Sequence, residues 1–113
     1  MKDEKVKFTA TGNVLGNMWG GGKAGYNITQ ITSDSVSEVI KTAKEKLKDG
    51  SLDAGAGFEN LIGAMLIISK VTTVEINGDI FTNEKVVRST YIGALTKKQK
   101  NFLIPEYFNH GVI

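Results

Sequence analysis

The sequence predicts an α+β fold: a single domain with an antiparallel sheet of four to six strands, one main helix and a short C-terminal helix. Three features point to it. Segments of alternating polar and apolar residues recur along the chain, as half-buried strands require. Asn77-Gly78 lies between two such segments, and this pair is the strongest short hairpin signal because both residues tolerate positive φ. One amphipathic run, opened by a capping box and closed by glycine, supplies the helix. No repeat or linker interrupts the 113 residues, so one ligand-binding domain over 1–113 is expected.

The first strand is read over Lys5–Thr11, where Val6, Phe8 and Ala10 fall on one face. From Gly12 to Gly25 the chain carries six of its 13 glycines, and that density reads as a loop. Alternation resumes over Tyr26–Thr32, with a shift of phase at Ile31, and marks a second strand. Ser35-Val36-Ser37-Glu38 is a capping box. After it Val36, Val39, Ile40, Ala43 and Leu47 line one helical face, and Gly50 stands where a C-terminal cap belongs. The lysines of the opposite face read as a solvated surface.

Ser51–Gly57 is a second glycine-bearing connection. Phe58–Ala64 after it either opens a short helix or leads straight into a strand, and the local pattern does not separate the two. Val71–Ile76 runs into the Asn77-Gly78 turn, which pairs Ile76 with Asp79 and Val74 with Phe81. A further strand is read over Val86–Ile92. Thr96-Lys97-Lys98-Gln99 forms another capping box, with Phe102 and Leu103 as the apolar side of a short helix that Pro105 discourages from continuing.

Composition excludes several chemistries. With no cysteine, disulfide scaffolds, zinc ribbons, iron–sulfur sites and thiol nucleophiles are out. His110 is the one histidine and lies near the chain end, so triads and histidine metal sites have no basis, and neither a metal, a cofactor nor a catalytic residue is expected. Fourteen basic against 12 acidic residues give a net charge of +2, too balanced to predict a nucleic-acid or membrane surface. The first residues lack the apolar core of a signal peptide and the longest apolar run, Leu61–Ile68, is far too short to span a bilayer, so a cytoplasmic protein is expected.

The glycine tract is where ligand chemistry concentrates. Gly20-Gly21-Gly22-Lys23-Ala24-Gly25 fits G-x-G-x-x-G in form, but a strand follows where the dinucleotide motif needs a helix. It fails as a P-loop too, since Ala24 follows Lys23 and Asn17 replaces the first glycine. What remains is a flexible tract whose backbone amides can converge on a phosphate, with Lys23 adding a charge-assisted contact. Trp19 and Tyr26 beside it offer stacking surface for a base. The plainer alternative makes Trp19 a core plug and the glycines a tight loop or subunit contact. Arg88 is the one arginine, suited to clamp phosphate or, equally, to join a cross-strand ion pair. Asp53 and Glu59, flanking Gly55 and Gly57, suit ribose hydroxyls or simple capping.

Two strings, Asn17-Met18-Trp19-Gly20-Gly21-Gly22-Lys23-Ala24-Gly25-Tyr26 and Asp49–Ala64 with its Asp53-Ala54-Gly55-Ala56-Gly57-Phe58 centre, resemble the first-described family of phage Thoeris anti-defence proteins. Members of that family are signal sponges. The resemblance implies a phage protein acting in the host bacterial cytoplasm, binding cyclic ADP-ribose isomers, in some relatives also cyclic oligonucleotides, and cleaving none of them. It also implies a homo-oligomer built from dimers, with sites at or near subunit contacts.

The expected ligand residues are therefore Trp19, Tyr26 and Phe58 for stacking, Gly20, Gly21, Gly22 and Lys23 for phosphate, and Arg88 as a clamp. The rival is a small phage protein that binds a host protein or nucleic acid through a sheet face, in which the helix lysines matter. A nucleotide-cleaving enzyme working through a perturbed Asp53 or Glu59 is a third reading.

Overall fold

The computed structural model describes residues 4–103. Its elements are β1 (Glu4–Asn17), β2 (Lys23–Asn27), β3 (Ile31–Ser33), α1 (Val36–Asp49), β4 (Asn60–Ile76), β5 (Asp79–Gly93) and α2 (Lys97–Phe102). The fold is α+β, with one antiparallel sheet in the order β2-β1-β4-β5, and β3 pairs with β1 further along the β2 edge. His110 and Pro105 lie outside the described residues.

The strands are longer than alternation alone indicates. β1 continues through Gly12 to Asn17, so the first glycines of the tract belong to a central strand rather than a loop. Flanked by strands on both edges, it reads apolar on successive residues: Val14 and Leu15 are both buried, on opposite faces. Gly12 is fixed by close approach. Its φ is 135°, and a Cβ there would run into the Met65 carbonyl oxygen of β4. The single strand expected over Tyr26–Thr32 is split, because β2 ends at Asn27 and Ile28 instead forms an isolated bridge with Asp53 before β3 begins. That break absorbs the phase shift at Ile31.

Phe58–Ala64 resolves in favour of the strand, which begins at Asn60 and runs 17 residues to the hairpin. Asn77 at φ 54° and Gly78 at φ 87° make the turn, and the register is the one read from the sequence, Ile76 opposite Asp79 and Val74 opposite Phe81. The strand expected over 86–92 is the far half of β5. A bulge separates the halves, since Ile68 faces Arg88 and Ser69 faces Val86, leaving Val87 unpaired.

α1 packs on one sheet face. Ser35 Oγ accepts the Glu38 amide at 3.2 Å, and Gly50 closes the helix at φ 86°. Val39 and Ala43 are fully buried, and Val36, Ile40 and Leu47 pack beside them against Ala10, Val14, Ala64, Leu66 and Ile68. The reverse face carries a smaller core of Leu15, Met65 and Leu103, flanked by Ile62, Ile67, Tyr91 and Leu95. The α2 segment thus covers the side of the sheet that α1 leaves open. No helix among the described residues is long and apolar enough to cross a membrane.

Gly12→Ala is expected to destabilise the protein by about 1–3 kcal/mol or more from overpacking at the β1–β4 contact. Gly20→Ala, where an added Cβ meets nothing within 4 Å, should stay within about 0.5 kcal/mol of wild type. Urea unfolding followed by circular dichroism measures both.

Candidate functional site

The Gly20–Gly22 run forms the β1–β2 turn. Asn17 pairs with Lys23, the Met18 amide donates to the Gly22 carbonyl and the Gly21 amide to the Met18 carbonyl, both at 3.1 Å. Gly21 and Gly22 take φ of 88° and 83°, a region other residues rarely adopt. The glycines therefore serve a tight turn, and the Gly21 amide is already bonded within it. Trp19 at the head of this turn is 73% exposed, so it displays its ring to solvent rather than plugging the core.

Lys23 is the first residue of β2, and the pairing of Asn17 with Lys23 and Leu15 with Gly25 places it on the sheet face of Leu15, the face that α2 covers. A cavity of about 230 Å³ opens there, lined by Leu15, Lys23, Lys98, Gln99 and Phe102. α2 is set by its capping box: Thr96 Oγ1 accepts the Gln99 amide at 3.2 Å and Gln99 Oε1 accepts the Thr96 amide at 2.9 Å. Since that bond occupies the Gln99 oxygen, the residue offers a guest its NH₂ end. Tyr91 Oη donates to the Lys100 carbonyl at 3.0 Å and anchors the helix to β5. The corner therefore offers two ammonium groups, an amide donor, an aromatic ring and an apolar floor, a set suited to an anionic group attached to a ring.

The other sequence-derived residues lie elsewhere. Tyr26 is opposite Val14 and so projects on the α1 face, the reverse of Lys23. Phe58 packs on that same face against Gly16, where an added Cβ would sit 2.5 Å from Phe58 Cγ. Arg88 stands on β5 opposite Ile68, in a row that continues through Ala10 to Ile31 of β3, so it is set apart from the Lys23 row, which runs through Asn17 and Asn60, both across the sheet and along the strands. Trp19, the glycine turn and Lys23 share one corner; Tyr26 and Phe58 occupy the reverse face, and Arg88 the far edge.

The two glycine-rich stretches do meet. The Glu59 amide donates to the Asn17 carbonyl at 2.8 Å, Asn17 Nδ2 donates to Asn60 Oδ1 at 2.5 Å, and Phe58 covers Gly16. The second stretch binds an anion of its own. Asp53 Oδ1 accepts the Gly55 and Ala56 amides at 3.1 and 2.9 Å, and Oδ2 accepts those of Gly57 and Phe58 at 2.9 and 3.5 Å. This is a backbone nest filled by an internal carboxylate. Burial works to raise the Asp53 pKa, but the four donors outweigh it and hold the carboxyl below its usual range. Asp53 is thus committed to the loop.

Lys98, Gln99 and Phe102 escaped the reading of the sequence as site residues. Their helix was legible from its capping box, but the face on which it docks was not. No protein family, curated protein or solved structure matches this chain.

Asp53→Asn replaces an acceptor by a donor on one side of the nest and should cost about 1–3 kcal/mol in urea unfolding at neutral pH. Because the folded carboxyl has the lower pKa, its contribution is complete above the unfolded value near pH 4 and fades as pH falls through the folded one. The gap between wild type and Asp53→Asn should therefore narrow below about pH 4.

Proposed function

We propose that this protein captures a cyclic nucleotide signal and holds it without cleaving it, with the corner of Lys23, Lys98, Gln99 and Phe102 as the subsite for phosphate and an adjoining ring. The observation that carries this reading is the convergence of two lysines and an aromatic ring on one cavity. Two ammonium groups match a pyrophosphate or a pair of phosphodiesters, each charge-assisted contact adding about 1.5–3 kcal/mol. Sequestration needs cations, donors and stacking surface but no acid–base pair, and Asp53, a carboxylate that a cleaving enzyme would use, is engaged by backbone amides.

At about 230 Å³ the cavity is smaller than the roughly 300–1,000 Å³ of a site enclosing a drug-sized ligand. It holds a phosphate and part of a sugar or base, and the rest of the guest extends over the open rim toward the exposed Trp19. The resemblance to Thoeris anti-defence sponges supplies the ligand class, cyclic ADP-ribose isomers or cyclic oligonucleotides. It supplies the setting as well, a homo-oligomeric phage protein in the host cytoplasm.

Native mass spectrometry against a panel of both classes tests this. An intact, unhydrolysed ligand should be retained. Lys23→Ala and Lys98→Ala should each weaken binding about 10- to 100-fold, and Lys44→Ala on the outer face of α1 should leave it unchanged. Protein that stays bare against the whole panel overturns the reading in favour of a macromolecular partner on a sheet face.

A further inference from the structure

The net charge of +2 conceals an uneven distribution over the arm that β4 and β5 form beside the start of β1. Lys70 lies directly opposite Lys85, and Arg88, past the bulge at Val87, lies opposite Ile68, whose side chain belongs to the α1 core. Parity therefore puts all three cations on the α1 face. No carboxylate stands in the rows of that face from Ala10–Ile68–Arg88 to Val6–Thr72–Asn83, and Glu75 and Glu84 fall on the reverse side. The three cations are exposed, and none has an ion pair or hydrogen bond among the described residues, where the one salt bridge joins Lys7 to Asp34. Arg88 thus makes no cross-strand ion pair. Two ammonium groups set directly opposite each other destabilise a sheet, and with the guanidinium one row away, about 7 Å along the strand, they build a positive field that the described residues leave unopposed.

We propose that this face of the arm binds single-stranded nucleic acid, with Lys70, Lys85 and Arg88 on the phosphates and Phe81 under a base. Along β5 the face reads Phe81, Asn83, Lys85, Arg88, a ring, an amide, an ammonium and a guanidinium in line over about 20 Å. Phe81 is 52% exposed, so its ring is open to a guest. A run of phosphates supplies closely spaced negative charge to the facing lysines, and the planar fork of arginine takes a phosphate through two bonds. An exposed ring stacks a base of any kind. A duplex keeps its base faces inside the stack and leaves Phe81 unused, and the carboxylates of an acidic peptide bring no ring face to it. An unpaired strand uses the cations and the ring together. The surface lies on the α1 side of the sheet, whereas Lys23 and α2 lie on the other, so the inference stands apart from the ligand corner.

Fluorescence anisotropy with a dye-labelled oligouridylate, titrated over a range of salt, tests this. Three phosphate contacts give a slope of log affinity against log salt of about −2, at roughly 0.7 per contact for a single strand. Arg88→Ala should reduce that slope by about 0.7. Phe81→Ala should weaken binding roughly 5- to 150-fold and leave the slope unchanged. Lys85→Glu separates binding from folding, because it sets opposite charges across the Lys70 row: it should raise the urea midpoint and abolish oligonucleotide binding. Lys97→Ala, a cation lost from α2, should bind as wild type does. No binding at low salt overturns the proposal, as does a Lys85→Glu variant that still binds. So does a duplex or a polyglutamate chain held as tightly as the single strand. None of these results touches the cyclic-nucleotide reading, which is measured on the opposite face.

Discussion

The pairing of β1 with β4 is the constraint on which the rest of the molecule depends. It joins Glu4 to Val74 at one end and Asn17 to Asn60 at the other. Each residue in between is thereby assigned to one face or the other. Ala10 and Val14 go to the α1 core, Leu15 to the α2 core. The two backbones approach so closely at Gly12 that no side chain fits. A one-residue slip in this ladder would exchange the two cores and turn Lys23 away from α2.

Parity also explains which parts of the site were legible in the sequence. Lys23 and Tyr26 are three residues apart on one strand and must point to opposite faces, so a glycine tract flanked by a cation and rings did not make one pocket. Alternation was legible where one side of a strand is wet, as in Lys5–Phe8, and the hairpin register followed from Asn77-Gly78 alone. It was illegible in Gly12–Asn17, because a strand buried on both sides shows no alternation and glycine has low strand preference. The helices were legible from their caps. Where α2 docks depends on Leu103 meeting Leu15 and Met65, contacts between residues far apart in sequence. That is why Lys98, Gln99 and Phe102 joined the site only in three dimensions.

The glycine-rich stretches look alike in sequence and do different work. The first is a hairpin turn whose amides bond carbonyls of the turn itself. The second wraps four amides around Asp53. Asp49 acts similarly one step earlier: the Ser51 hydroxyl and then its backbone amide, at 2.6 and 2.8 Å, hold its carboxyl below the usual range. The segment from the end of α1 to β4 is thus organised by two carboxylates turned onto their own backbone. Its amides are satisfied within the fold, so the proposed capture rests on side chains of the opposite face.

The two edges of the sheet are built differently. At the interrupted edge a turn and a short strand meet α2 around the cavity above Leu15. The β5 edge is the reverse, a strand of 15 residues whose main-chain groups keep their period up to the bulge at Val87. Three strand spacings separate them, and the rigid β1–β4 ladder lies between.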